Sequence, residues 1–228
     1  CREMLTAVLT GATLHLADVE TVGIRGIRRQ IRAHGVTMMY FVPALLRAVL
    51  AGAEDGDFAS LRNARIGGEK VLWTDIALVR RALPASCFVQ VGYSSTETTG
   101  SQWFLPNDWP EQGPSTPAGY PLPGISFAVI DDAGRAVAAG QIGELLIKSR
   151  YVLLGYWENG ETVPMPVDPC DPRERIFATG DLVVAGERSL LQVVGRKGRQ
   201  IKINGRRVEP AELELAVHRV PTVEDAVV

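Results

Sequence analysis

The hydrophobic period of this chain changes once, near Pro106, and that single change limits the folds open to it. Before it, helix-like and strand-like patterns alternate. Ile24, Ile27 and Ile31 share one helical face, and the apolar run Met38-Met39-Tyr40-Phe41-Val42 follows. Pro43 can open the next helix, where a missing N–H costs nothing, and Leu45, Leu46, Val49 and Leu50 supply its apolar face. Ala64-Arg65-Ile66 reads as a short strand, Thr74 as the cap of a helix over Asp75 to Leu83, and Cys87 to Val91 as a third strand. Short apolar strands spaced by helices predict a parallel sheet covered on both faces.

From Asn107 to Gly124, Pro, Gly, Ser and Asn crowd the chain and the helical period disappears. The runs Ile125 to Ile130, Leu145 to Lys148, Phe177, Leu182 to Val184 and Leu190 to Val194 then alternate with turn signals such as Asp132-Ala133-Gly134 and Glu158-Asn159-Gly160. They predict a small antiparallel barrel or distorted sheet beside the α/β layer. Last, Gln200 to Ile203 reads as a strand, Asn204-Gly205 as a hairpin turn and Pro210 to His218 as a helix. With 228 residues, 46% of them hydrophobic, the chain can bury one large core or two unequal ones.

Charge and cysteine usage remove several function classes. The 24 basic and 26 acidic residues leave a formal charge of −2, so no basic field draws nucleic acid or an anionic membrane. Cys1, Cys87 and Cys170 are odd in number and far apart, which argues against a disulfide framework or a CxxC metal site and suits a reducing cytoplasm. No apolar run reaches membrane-spanning length, and no signal-peptide pattern opens the chain. Cys1 and the closing Glu224-Asp225-Ala226-Val227-Val228 read as cut ends, so further residues are expected on both sides.

The segment Gly92-Tyr93-Ser94-Ser95-Thr96-Glu97-Thr98-Thr99-Gly100 follows a strand of the α/β half, where open parallel sheets place their ligands. Small hydroxyl residues with free backbone N–H groups can wrap an anion, Tyr93 can stack on a flat base, and Glu97 can hold a hard cation that bridges phosphates. A Ser/Thr-rich helix start capped by Thr96 or Ser95 suits the same letters equally well. Gly67-Gly68-Glu69 allows close backbone approach to a planar ligand, or is a plain strand-to-helix turn. Phe177-Ala178-Thr179-Gly180-Asp181 sets a carboxylate after a turn glycine, fitting for a ribose diol, although taken by itself the segment favours an ordinary hairpin turn. Gly195 to Gln200 reads as a linker or a solvated basic loop.

The order and spacing of these segments resemble the adenylate-forming superfamily of acyl- and aryl-CoA ligases, luciferases and nonribosomal peptide synthetase adenylation domains. Gly11 to Leu16, Gly35-Val36-Thr37 and Val42 to Leu46 are similar to the run ahead of that family's acid pocket. Gly92 to Glu97 is similar to its YGxTE motif, and Gly140 to Leu145 with Gly155-Tyr156-Trp157 to its GEL…GY motif. Thr179-Gly180-Asp181 is similar to its TGD motif, and Gly195-Arg196 through Glu209 to its GRxDxQxKxxGxRxE segment. The chain departs twice: Ser94 replaces the glycine after Tyr, and Gly198 replaces the Asp or Lys of the hinge.

The resemblance implies a fold and a set of roles. It implies an α/β class: part of a large N-terminal subdomain with a parallel sheet and helices over 1–118, a distorted β-barrel over 119–195, and the start of a small α+β C-terminal subdomain over 196–228. Tyr93 is expected to pack on adenine, Thr96 to contact the α-phosphate, and Glu97 to help hold Mg²⁺. Asp181 is expected on the ribose hydroxyls with Arg196 close by, and Gly67, Gly68, Glu69, Gly92, Ser94 and Ser95 around the nucleotide. Gly67, Gly92, Gly100 and Ser101 fall where the family lines its acyl pocket, and Gly198 at its hinge. The implied reaction activates a carboxylic or amino acid with ATP and Mg²⁺, then passes the acyl group to a phosphopantetheine thiol on a carrier protein or CoA. The phosphate loop is expected before Cys1 and the catalytic lysine beyond Val228, so the fragment alone is expected to be inactive. A free-standing CoA ligase and a noncatalytic nucleotide-binding domain are the rival readings.

Overall fold

The computed structural model describes the chain except residues 1, 112–114, 187–189, 198–200, 204–205, 209, 218–219, 221–222, 224–225 and 227–228. Gly198 and the Asn204-Gly205 turn therefore lie outside the described residues. Two helices, α1 (Arg2–Thr10) and α2 (Val19–His34), precede the first sheet. Asp18 caps α2 by accepting the Glu20 N–H, and Gly35 closes it in the left-handed region at φ 58°. Ile27 and Ile31 are buried on its inner face, and Ile24 packs partly buried beside them.

The chain then alternates β1 (Met38–Phe41), α3 (Pro43–Leu50), β2 (Asn63–Gly67), α4 (Trp73–Ala82) and β3 (Phe88–Ser94). β1, β2 and β3 run parallel in that order, while β4 (Thr99–Leu105) and β5 (Tyr120–Pro121) add antiparallel neighbours beyond β3. Pro43 sits in the first turn of α3, and Leu46, Val49 and Leu50 are buried against the sheet. The start of α4 differs from expectation. Its first helical residue is Trp73, and Thr74 lies inside the first turn instead of capping it. Asp75 does the work, reaching back to accept the Leu72 N–H at 2.9 Å while paired at 2.7 Å with Arg47 of α3. The Asp75 carboxylate is fully buried while Arg47 keeps part of its side chain in solvent, so the carboxylate depends on Arg47 and the Leu72 N–H for its partners.

The second layer is an antiparallel sheet in the order β11-β10-β7-β6, built from β6 (Ser126–Ile130), β7 (Ile142–Ser149), β10 (Arg175–Ala185) and β11 (Leu191–Arg196). Among the described residues it is an open, distorted sheet and not a closed barrel. Every second residue of β7 is buried, which places Leu145 and Ile147 in a small core with Val183 and Leu191. A hairpin of β8 (Gly155–Glu158) and β9 (Glu161–Pro164) leaves this sheet between β7 and β10. Beyond β11 come the pair β12 (Ile201–Ile203) and β13 (Arg206–Val208) and the helix α5 (Pro210–Val217).

Candidate functional site

The two sheets face each other across a cavity of about 450 Å³. From the α/β half it receives the end of β3 and the turn that follows, together with Gly68, Glu69 and Lys70 after β2. From the antiparallel half it receives Asp181, Val193 and Arg196.

Residues 95–98 form a tight turn from β3 into antiparallel β4, closed by the Ser95 N–H on the Thr98 carbonyl at 3.0 Å. The helix start that the same letters allow is absent, because the chain reverses at once to pair Tyr93 with Ser101 and Ser94 with Thr99. Ser94, Ser95 and Thr96 are exposed and line the cavity. Glu97 accepts a hydrogen bond from the Tyr156 hydroxyl at 3.1 Å, and its carbonyl accepts the Leu153 N–H at 2.8 Å. Burial pushes the Glu97 carboxyl upward. Hydrogen bonds from its own backbone, Ser95 and Tyr156, with the charge of Arg196, outweigh that and hold it below its ordinary value.

Asp181 stands within a strand and not at the end of a hairpin. The register of β10 against β7 slips between Ala178 and Leu182, and Gly180 takes φ 72° to make the bulge. Three bonds brace that bulge: Thr179 donates to the Leu145 carbonyl at 2.9 Å, the Gly180 N–H to Glu144 at 3.2 Å, and the Asp181 N–H to the Thr179 hydroxyl at 3.0 Å. Lys197 completes the brace, with its N–H on the Gly180 carbonyl and its ammonium 3.0 Å from Glu144. Arg196, opposite Asp181 in the register, lies 3.9 Å from its carboxylate and is largely exposed, so the pair is weak and its guanidinium can reorient.

Within the cavity lining the Tyr93 hydroxyl donates to Asp181 Oδ2, a further direct tie between the halves beside those from Leu153 and Tyr156 to Glu97. Burial first, and then that bond to an anion, push the Tyr93 phenol well above its ordinary range, so it stays a donor. Gly100 explains how the ring fits. A Cβ there would stand 2.7 Å from Tyr93 Cδ1 and 2.8 Å from its carbonyl, so only glycine leaves the space.

The cavity thus gathers Gly68, Glu69, Gly92, Tyr93, Ser94, Ser95, Thr96, Glu97, Asp181 and Arg196 from the sequence reading. Gly67, Gly100 and Ser101 stand outside its lining. Gly67 pairs with Gly92, whose carbonyl would lie 2.9 Å from any added Cβ, and buried Ser101 donates to the Ala118 carbonyl at 2.6 Å. The lining also contains residues the motifs did not single out, chiefly Lys70 and the segment 115–118. Lys70 directly follows Gly67-Gly68-Glu69, which is the signal that could have found it. Burial holds its ammonium below the ordinary value, opposed by the charge of Glu214 on α5.

The sequence profile of the family described as AMP-binding enzyme matches residues 1–157. The chain belongs to the AMP-binding enzyme family. It is 33% identical over 232 residues to the L-proline--[L-prolyl-carrier protein] ligase of Streptomyces coelicolor, covering 99% of this chain and 43% of that protein. It is 28% identical over 236 residues to surfactin synthase subunit 2 of Bacillus subtilis, covering 99% of this chain and 6% of that protein. The chain therefore spans less than half the length of these curated relatives. Among solved structures, the O-succinylbenzoate coenzyme A synthetase of Bacillus subtilis superposes with a TM-score of 0.76 at 22% identity, over 99% of this chain and 47% of that one. The anthranilate CoA ligase AuaEII superposes at 0.73 and 24% identity, over 94% of this chain and 40% of that one. Both likenesses show the fold.

Among the described residues there is no cluster of three His, Cys, Asp or Glu side chains able to cage a metal. Glu97 on the cavity lining is a single carboxylate, which fits Mg²⁺ where phosphates and water supply its other ligands. No described helix is long and apolar enough to cross a membrane.

Proposed function

We propose that the protein carrying this chain activates a carboxylic acid, an amino acid foremost, as its acyl adenylate with release of pyrophosphate, and then transfers the acyl group to a phosphopantetheine thiol. The observation that carries this reading is the meeting of Tyr93 and Glu97 from one sheet with Asp181 and Arg196 from the other around one cavity. Tyr93 offers its face to adenine while its hydroxyl holds Asp181 in place. Asp181 offers its carboxylate to the ribose hydroxyls; Tyr93 uses only one lone pair of Oδ2, which leaves acceptor capacity on both oxygens. Thr96, on the exposed turn, faces the α-phosphate, and Glu97 holds Mg²⁺. Mg²⁺ held there would supply neutralisation of phosphate charge, while the acid's carboxylate would attack the α-phosphorus with pyrophosphate as the leaving group. Catalysis of this kind is chiefly positioning and charge stabilisation, so a fixed Glu97 and a braced Asp181 are what the chain contributes.

A carrier protein domain as acceptor is supported by the name of the prolyl-carrier-protein ligase relative. Free coenzyme A is the second reading, supported by the name of the anthranilate CoA ligase neighbour. The boundaries proposed for the parts are 1–118, 119–195 and 196–228, with Gly198 as the pivot of the last. Gly198→Pro is expected to separate the half-reactions, sparing pyrophosphate exchange while thiol transfer falls at least about tenfold. No loss in either step would remove Gly198 from that role, and equal losses with a lowered melting temperature would mean misfolding. The reading as a whole is tested by acid-dependent ATP–pyrophosphate exchange with a panel of amino and aryl acids in the full-length protein. Exchange with one acid class supports it, and ATP binding without exchange for any acid would favour a noncatalytic nucleotide-binding domain.

A further inference from the structure

We infer that Tyr156 is a positioning residue for Glu97, and that residues 153–156 tie down the 95–98 turn from the antiparallel half of the molecule. The inference rests on the reading of Glu97 as the Mg²⁺ carboxylate. A glutamate on a short turn whose three preceding residues are exposed has many rotamers open to it. Here the turn is held at two separate points by one segment 56 to 59 residues away in sequence: the Leu153 N–H on the Glu97 carbonyl at 2.8 Å, and the Tyr156 hydroxyl on Glu97 Oε1 at 3.1 Å.

The segment has a firm base of its own. Val152 is buried in the second core, and Ser149, at the end of β7, donates to the Gly124 carbonyl at 2.6 Å and accepts the Tyr151 N–H at 3.1 Å. The Met165 N–H bonds the Leu154 carbonyl at 3.0 Å, closing the β8–β9 hairpin. Gly155 is required for that closure, because an added Cβ would stand 2.3 Å from the Val163 carbonyl.

The chemical choice of tyrosine is informative. A lysine or arginine at 156 would fix the carboxylate but cancel the charge that a cation needs. A neutral hydroxyl donor orients it and leaves the charge intact, as the partners behind metal-ligating side chains do.

The test is ATP binding by titration calorimetry in the full-length protein, once with Mg²⁺ and once with EDTA. Tyr156→Phe is expected to weaken ATP binding in Mg²⁺ about tenfold. In EDTA the affinity should stay within about twofold, with the melting temperature unchanged, because the loss belongs to the cation and not to the pocket. Glu97→Gln should reproduce the metal-dependent loss, and the double variant should add nothing to it. Trp157→Ala, at the exposed neighbour of Tyr156, keeps the hydroxyl and serves as the folding control. Equal losses in Mg²⁺ and EDTA, an unchanged affinity in Tyr156→Phe, or an equal loss in Trp157→Ala would each overturn the inference. If Glu97→Gln shows the metal-dependent loss and Tyr156→Phe does not, the positioning role falls and the reading of Glu97 stands. If Glu97→Gln shows none, both fall together.

Discussion

The two walls of the cavity are built by opposite means. On the α/β side, Ser94 to Glu97 lie at a strand-end turn where Ser94, Ser95 and Thr96 are exposed and Glu97 is half-buried, and the turn is held by bonds sent across from Leu153 and Tyr156. On the antiparallel side, Asp181 sits within an 11-residue strand, on a bulge braced by Thr179, Glu144 and Lys197 from within its own sheet. The contrast assigns different work to each. Under the proposed function, a turn held from across the cavity would set Glu97 toward the phosphates, and a bulge braced within its own sheet would set Asp181 toward the ribose.

Substitutions that strike one wall and spare the other sharpen this contrast. Glu97→Gln should have the largest effect, lowering pyrophosphate exchange by about 10²–10³-fold with little change in melting temperature, because the lost charge acts on the transition state and not on packing. Near-normal exchange at saturating Mg²⁺ would count against a division of labour between the walls. Gly100→Ala comes next. Its Cβ meets the Tyr93 ring and carbonyl, so a cost of about 1–3 kcal/mol in denaturant unfolding is expected, with weaker ATP binding as the ring moves. Unaltered stability and affinity would show that the ring has room the contacts deny. Gly180→Ala is the mildest. Nothing but the Arg196 side chain, at 3.9 Å, approaches the added Cβ, so only the left-handed backbone is penalised, by about 1 kcal/mol. A loss of ATP affinity much larger than the loss of stability would mean that the brace around Asp181 is less rigid than described.

The contrast between the walls also marks what could be read from the residues alone. The succession β1, α3, β2, α4, β3 follows from apolar runs and one proline, since short-range periodicity decides it. The 95–98 turn does not, because Ser and Thr favour helix caps and tight turns for the same local reason. What selects the hairpin is pairing with β4, a tertiary matter. Gly180-Asp181 reads as a turn for a similar cause: a glycine beside an aspartate marks positive φ but not whether the strand resumes. The cap of α4 shows the converse, where Asp75 outcompetes Thr74 because Arg47, 28 residues earlier, supplies a counter-charge. Tyr93 to Asp181 and Tyr156 to Glu97 span 88 and 59 positions, and no local pattern encodes either pairing. Lys70 and 115–118 enter the cavity only because the two sheets face each other there.

The central claim, that one nucleotide lies across both walls with adenine on Tyr93 and ribose on Asp181, is tested most directly by comparing ATP with 2′,3′-dideoxy-ATP in direct binding to the full-length protein. The unmodified protein should prefer ATP by about 2–4 kcal/mol, the worth of two hydroxyls on a carboxylate. Asp181→Ala should abolish that preference while still binding the dideoxy analogue, and Tyr93→Ala should weaken both ligands alike. A preference for ATP that survives Asp181→Ala would contradict the account, since the ribose would then be held by something other than the braced bulge.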